Sequence, residues 1–195
     1  LTFTPANWNV AQDVTVTGVD DLTVDGSQAS TVVLTSASVD SSYAALNETV
    51  NVTTTDDDAA GLTISTLVAT VSESGSTETL QVVLDSQPTA DVTVSLAGSD
   101  ASEASIDATE LTFTTTNWNS PQDVTITGVD DLTGDGNQAS TLTLTSSSTD
   151  SSYAALTAIV DVTTIDDDAA GFTATATDGT TEVSEFGSSD TISVV

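Results

Sequence analysis

Clusters of aspartate lie at the ends of apolar segments in this chain. The triplet Asp166–Asp168 follows one apolar segment, and Asp130, Asp131 and Asp135 follow another. Gly, Asn and Thr surround these acids, which is typical of turns between strands. Carboxylate oxygens are the ligands that Ca²⁺ prefers, and the ion takes 6–8 oxygens. The acidic turns therefore predict a divalent-cation site, with Ca²⁺ as the expected ion.

The composition of the chain leaves only protons or dissolved cations to neutralise acids that lie close together. The sequence holds 30 Asp and Glu against no Lys, Arg or His, which gives a formal charge of −30. Since no side chain can form a salt bridge, carboxylates that the fold brings together need protons or cations from solution. Nucleic acid and anionic membrane require a basic surface, so neither is an expected partner. With Cys also absent, the usual nucleophile–base pairs are missing, and we predict no enzymatic activity.

A solvated acidic surface, as in very soluble proteins, is the alternative interpretation of these acids. Three consecutive aspartates that return at the same position of a repeat favour the cation site over it. An EF-hand is excluded. Asp131, Thr133 and Asp135 resemble the start of its loop, but Leu142 stands at the twelfth position, where a bidentate Glu is needed.

The chain repeats itself over a long distance. Residues 1–60 and 111–170 align without a gap at a period of 110; 16 of the 60 positions differ and 44 are identical. A period of this length predicts tandem domains joined by short junctions. We expect the C-terminal part of one β-sandwich module at 1–60, a complete module at 61–170, and the N-terminal strands of the next module at 171–195.

Alternation of apolar and polar residues, as in Asp123–Thr127, predicts strands throughout. In the complete repeat we expect seven strands, near residues 61–69, 77–85, 91–97, 109–115, 122–128, 139–147 and 157–165. The predicted class is all-β, an immunoglobulin-like seven-strand Greek-key sandwich, with a barrel as the less favoured alternative. In that topology the first, third and fifth loops and the end of the last strand meet at one end, which would bring up to eight carboxylates together.

Three segments in this order resemble a Calx-beta module: Val71–Gly75, Thr109–Asp131 with its Asn-Trp-Asn around Trp118, and Asp166–Asp168. That family occurs in sodium–calcium exchangers, an integrin subunit and large bacterial surface proteins, and the resemblance covers 61–170 and both flanking fragments. It implies a seven-strand sandwich that binds Ca²⁺ at its distal loops. The implied ligands are Glu73, Asp100, Asp130, Asp131, Asp135, Asp166, Asp167 and Asp168, with the repeat counterparts Asp20, Asp21, Asp25, Asp56, Asp57, Asp58 and Glu185.

The expected function is that of a calcium-rigidified structural repeat in a secreted, extracellular adhesin, surface fibre or biofilm matrix filament. Millimolar extracellular Ca²⁺ suits weak sites of this kind. The expected partners are neighbouring modules of the same chain and like chains in a filament, without membrane insertion, because no apolar run reaches spanning length.

Two other functions stay open at this point. One is a calcium sensor, and the other is a carbohydrate-binding module that uses Trp118. For Trp118 and its counterpart Trp8 we favour packing over the end of a small core, and for Tyr43 and Tyr153 we favour anchoring of a loop.

Overall fold

Short strands dominate the computed structural model, which describes residues 1–177 and 179–195. The described residues form one 3₁₀ turn at Ser151–Tyr153, and none of their helical structure is long and apolar enough to cross a membrane. They also form the strands β1 (Gln28–Thr35), β2 (Asn47–Thr54), β3 (Leu62–Ile64), β4 (Val68–Ser72), β5 (Thr77–Leu84), β6 (Val92–Gly98), β7 (Ala104–Ile106), β8 (Glu110–Phe113), β9 (Gln122–Gly128), β10 (Gln138–Ser148), β11 (Thr157–Ile165), β12 (Ala174–Ala176) and β13 (Ile192–Val194).

Strands β3 to β11 form two sheets that enclose one core. The five-stranded sheet has the order β4-β11-β10-β6-β8, and the four-stranded sheet has the order β3-β5-β9-β7. Successive side chains of a strand point to opposite faces, so every second residue can enter the space between the sheets. Val92 and Val94 from one sheet and Val124 and Ile126 from the other are buried in the same apolar cluster. This part of the chain is a β-sandwich, and the predicted all-β class is confirmed.

Six of the seven predicted strands of the complete repeat are present, with ends within two residues of the prediction. The first predicted strand, 61–69, is wrong as a single strand. The chain changes sheets at Ser65–Leu67, where Thr66 Oγ1 donates to Val68 O at 2.8 Å. Residues 62–64 therefore pair with β5, whereas β4 pairs in parallel with β11. With the unpredicted β7, residues 62–165 contain nine strand segments instead of seven.

Residues 1–60 form only part of the structure that 111–170 forms. The hairpin β1–β2 pairs Gln28 with Thr54, which is the same register as Gln138 with Thr164 in β10–β11. Three strands were expected here, but residues 12–18, the counterpart of β9, are not a strand. The reason is that β9 pairs with β5 and β7, and no described residues pair with 12–18 in that way.

The C-terminal residues repeat the opening of the sandwich. Ala174 pairs with Val194, as Ile64 pairs with Val82, once the two-residue insertion between Gly171 and Val183 is counted. Strands β12 and β13 therefore correspond in position to β3 and β5.

Candidate metal site

The parallel pairing of β4 with β11 places several acidic loops at one end of the sandwich. Ser72 is paired with Ile165, and the next residue, Glu73, donates its backbone N–H to Ile165 O at 3.1 Å. Strand β9 ends beside them because Gly128 has no side chain: a Cβ there would lie 2.0 Å from Ser72 O. The loops that follow β4, β9 and β11 consequently begin side by side at one end of the sandwich.

Glu73, Asp166 and Asp168 form a first triad. Each offers one carboxylate oxygen, and these oxygens lie within 4.8 Å of one another. Glu73 is only 2% exposed. Asp166 is held by two backbone donors, Gly136 N–H to Oδ2 at 2.6 Å and Asp168 N–H to Oδ1 at 2.8 Å. The turn after β11 is thereby folded so that Asp168 faces Glu73.

Glu103, Asp131 and Asp135 form a second triad that meets the same 4.8 Å limit. Glu103 precedes β7, is 8% exposed, and accepts a hydrogen bond at its backbone O from Val129 N–H at 2.9 Å. Asp131 Oδ1 accepts from Thr133 N–H at 2.6 Å, which shapes the loop after β9. The second triad thus joins the β6–β7 loop to the β9–β10 loop.

Two carboxylate oxygens of these triads are buried without a hydrogen-bond partner among the described residues: Glu103 Oε2 and Asp168 Oδ2. A buried acceptor without a donor is costly and therefore rare in folded proteins. Oxygens bound to one Ca²⁺ at 2.3–2.6 Å lie within about 5 Å of each other, which agrees with the spacing in both triads. Each triad could hold a metal ion, and the donor set, carboxylate oxygen throughout, is the one that suits Ca²⁺.

The surroundings of the triads disfavour the charged forms of their acids. Burial is the main cause that raises the pKa of Glu73, Glu103 and Asp168 above their ordinary values. Neighbouring carboxylates raise these pKa values further, Asp166 for Glu73, Asp135 for Glu103 and Asp167 for Asp168. A bound cation would reverse this effect because it favours the charged form of each acid.

The structure brings most of the predicted ligands of the complete repeat into the triads. Those inside are Glu73, Asp131, Asp135, Asp166 and Asp168. Asp130 and Asp167 lie outside the triads and are exposed at their rim, where their charges raise the pKa of Asp168. Asp100 also lies outside both triads and is exposed. Its Oδ1 accepts from Ser102 Oγ at 2.6 Å and Ser102 N at 3.0 Å, and these bonds lower its pKa.

Glu103 is the site residue that the sequence analysis missed. A turn between Asp100 and Ala104, closed by Ala104 N–H to Asp100 O at 3.2 Å, leaves Asp100 exposed and buries Glu103. The spacing Asp-x-x-Glu just before the apolar residues of β7 is the signal that could have identified it, since this spacing is typical of a capped first helical turn.

The predicted ligands in residues 1–60 share one cleft of about 40 Å³, lined by Asp20, Asp21, Asp25, Asp56, Asp57 and Asp58. Gly26 N–H donates to Asp56 Oδ2 at 2.6 Å, as Gly136 does to Asp166. Burial raises the pKa of Asp58, with Asp56 as the next cause. Neither these acids nor the exposed Glu185 belongs to a triad among the described residues.

No family model and no curated protein sequence matches this chain. Solved structures show a partial likeness. The periplasmic chaperone SfaE is 8% identical with a TM-score of 0.44, over 55% of this chain and 57% of that one. A PapD-like domain of human CEP192 is 15% identical with a TM-score of 0.43, over 56% and 87%. The apo-form Calx CBD1 domain is 17% identical with a TM-score of 0.42, over 55% and 96%. This chain thus spans little more than half of the chaperone's length, and nothing about ligand or activity follows from scores this low.

Proposed function

We propose that the chain is a calcium-rigidified structural part of a tandem array of Calx-beta-like Greek-key sandwich modules in a long extracellular adhesin, surface fibre or matrix filament. The observation that carries this proposal is the convergence of two carboxylate triads, each with a buried oxygen that lacks a donor, at one end of the sandwich. Strand β11 also ends there and the chain continues to Gly171, so the site lies beside the path to the next segment.

Repetition of local structure supports the tandem arrangement. The hairpins β1–β2 and β10–β11 share their register, and the aspartates at 56 and 166 accept the same hydrogen bond from a glycine 30 residues earlier. The pairing of β12 with β13 repeats that of β3 with β5. The sequence boundaries at 60 and 170 lie shortly after the repeated hairpins, which supports the proposed division into modules.

The electrostatics support a rigidifying role for the ion. The triads draw on four segments, which follow β4, β6, β9 and β11. Without a cation, these segments repel each other because the chain holds no positive side chain. An ion that binds a triad only in the folded form stabilises that form, and an ion in each triad would hold two of the four segments together. An array with such sites at each junction would be stiff in extracellular calcium and looser without it.

The test is thermal unfolding of the chain in EDTA and across a Ca²⁺ titration into the millimolar range, followed by circular dichroism, with Mg²⁺ as the comparison ion. We expect a Ca²⁺-specific rise in Tm. Glu103→Gln and Asp168→Asn each remove one negative charge from a triad, so they should raise Tm in EDTA and lose most of the Ca²⁺-dependent rise. The matched control is Asp161→Asn, which removes the same charge from the exposed middle of β11 and should keep the full rise.

Equal Tm in EDTA and Ca²⁺ would exclude the calcium site and leave the acidic loops as solvated surface. A rise that persists in both triad variants would place the ion elsewhere. A carbohydrate-binding function is not proposed, because Trp118 packs against the core.

A further inference from the structure

The first acidic loop of the chain touches the sandwich that follows it. Leu22 O accepts a hydrogen bond of 2.6 Å from Gln87 N–H, and Thr23 forms a parallel bridge with Gln87. Leu22 and Thr23 lie between Asp21 and Asp25 in the loop that lines the first acidic cleft. Gln87 lies between β5 and β6. The two parts of the chain are therefore joined at a second place, besides the covalent junction at 58–61.

The receiving turn at Ser86–Gln87 is held by hydrogen bonds from within the sandwich. The buried Tyr153 hydroxyl donates to Ser86 O at 2.7 Å and accepts from Ser86 N–H at 3.0 Å. The side chain of Gln87 is also fixed, with Nε2 donating to Thr115 O at 2.9 Å. The backbone N–H of Gln87 is thus held in position for an acceptor from outside the sandwich.

The corresponding loop at the far end of the sandwich has the same turn but is more exposed to solvent. Thr133 N–H donates to Asp131 Oδ1 at 2.6 Å, as Thr23 does to Asp21 at 2.9 Å. Thr23 is half-buried, whereas Thr133 is exposed. The leucines differ in the same direction: Leu22, whose carbonyl bonds Gln87, is 51% exposed, and its counterpart Leu132 is 89% exposed.

We propose that this loop is a docking element and that the Leu132–Thr133 peptide binds the next copy of the module, at the turn equivalent to Ser86–Gln87. The partner is a second copy of the same sandwich, held by backbone hydrogen bonds. This inference rests on the proposed tandem arrangement but does not depend on calcium. A backbone contact suits the composition, since a chain without Lys, Arg or His cannot join its acidic ends by salt bridges.

Two attachments restrict a joint more than one does. The covalent junction is itself tight, because Asp85 N–H donates to Gly61 O at 3.1 Å and a Cβ on Gly61 would meet Asp85 Oδ2 at 2.0 Å. A single attachment of this kind still permits bending about one point. The Leu22–Gln87 contact removes that freedom and would therefore fix the angle between one module and the next.

The test measures the distance between the two parts by electron spin resonance. The chain has no native Cys, so spin labels can be placed at Val33→Cys and Ile159→Cys, both at exposed strand positions. The double variant Leu22→Gly with Thr23→Gly loosens the docking loop and leaves the sandwich sequence intact. We expect about a twofold broader distance distribution, as for domains joined by a linker alone. The matched control is Leu132→Gly with Thr133→Gly at the far end, which should leave the distribution unchanged.

A second pair of variants tests the backbone N–H of Gln87 as the hydrogen-bond donor. Gln87→Pro removes the N–H and should broaden the distribution, whereas Gln87→Ala keeps the N–H and should not; circular dichroism shows whether each variant is folded. An unchanged distribution in the Leu22/Thr23 variant, or equal broadening in the Leu132/Thr133 control, overturns the docking proposal. Measurements in EDTA and in Ca²⁺ separate the two proposals: broadening without any effect of Ca²⁺ on Tm supports docking while the calcium function fails.

Discussion

Residues 1–60 and 111–170 have nearly the same sequence and very different surroundings. Phe113 and Val124 are fully buried, at 0% exposure, whereas the identical residues Phe3 and Val14 are 56% and 53% exposed. Both copies nevertheless form the same hairpin and the same aspartate turn. Hairpin register and turn geometry are therefore local properties of this sequence. The core is not local, because it needs the strands between residues 62 and 106.

The aromatic residues of the two copies also differ in burial, and Tyr153 in addition holds the turn that receives the docking loop. Tyr153 is fully buried and its hydroxyl fixes Ser86, whereas Tyr43 is 61% exposed. Trp118 packs against the core, and Trp8 is 70% exposed. The predictions that Tyr153 anchors a loop and that Trp118 packs on the core are confirmed for the complete copy only. Matched substitutions in the two copies can test how far this difference reaches.

The largest expected effect comes from the buried phenylalanine. Phe113→Ala should lower the free energy of unfolding by about 3–5 kcal/mol, because it removes a ring from the core and leaves a cavity. Phe3→Ala should change it by less than about 0.5 kcal/mol, since that ring is exposed. Urea unfolding of both variants measures the difference. Equal effects would mean that residues 1–60 possess a core of their own.

A smaller effect is expected at a glycine that permits close approach of two strands. A Cβ at Gly128 would lie 2.0 Å from Ser72 O, whereas a Cβ at the counterpart Gly18 would meet only Thr54 Cγ2, at 3.6 Å. Gly128→Ala should therefore cost about 1–3 kcal/mol through a forced backbone shift, and Gly18→Ala should be nearly neutral. Since Gly128 precedes the loop of the second triad, Ca²⁺ titration of both variants should show weaker binding in Gly128→Ala alone.

The tyrosine hydroxyl provides the next contrast. Tyr153→Phe removes the partner of Ser86 N–H and Ser86 O in a buried place, which should cost about 1–3 kcal/mol. Tyr43→Phe should have no measurable effect on urea unfolding. If docking depends on the turn at Ser86, Tyr153→Phe should also broaden the spin-label distance distribution, and an unchanged distribution would show that the turn keeps its shape without the hydroxyl.

The smallest expected effect is a gradual change of folding stability with pH, caused by the buried acids of the sandwich. Because the folded-state pKa values of Glu73, Glu103 and Asp168 are raised, the folded form binds protons more tightly than the unfolded form. In EDTA, stability should therefore rise as pH falls from 7 toward the ordinary carboxyl range. Excess Ca²⁺ should abolish this rise. Chemical unfolding at pH 7, 6 and 5 with and without Ca²⁺ checks the sign, and a fall in stability over this window in EDTA would contradict it.

At lower pH the opposite trend should follow from Asp150. Burial alone would raise its pKa, but hydrogen bonds from Thr89 and Ser152 outweigh burial and lower the pKa below its ordinary value. The stability that these bonds supply is present above the ordinary value of 3.8 and is lost as pH falls below it. Stability in EDTA should thus pass through a maximum in mild acid.

The parts of the structure that the sequence predicted are those set by local pattern. Alternation located β6, β9 and β10, because a half-buried strand leaves that pattern wherever it pairs. The division of β3 from β4 leaves no such pattern, since it depends on which distant strand each half meets. Glu103 was missed for a related reason: its burial results from contacts with the loop after β9, far away in sequence. Residues 12–18 carry the strand pattern but have no partner strand among the described residues, so the pattern alone does not make a strand.

The parallel pairing of β4 with β11 also determines how the sandwich responds to pulling. Tension on a chain that enters at residue 61 and leaves at residue 171 first loads the pairing of β3 with β5. Once β3 is released, the tension draws β4 toward its N-terminal end and β11 toward its C-terminal end. Because the two strands run in the same direction, from Val68 beside Asp161 to Ser72 beside Ile165, their hydrogen bonds are loaded along the strand axis and must break together. An antiparallel pair at this place would open one bond at a time. The parallel pair is thus arranged to resist tension between the two ends of the sandwich, and an ion held between Glu73 and Asp166 would lie at the end of that same pair.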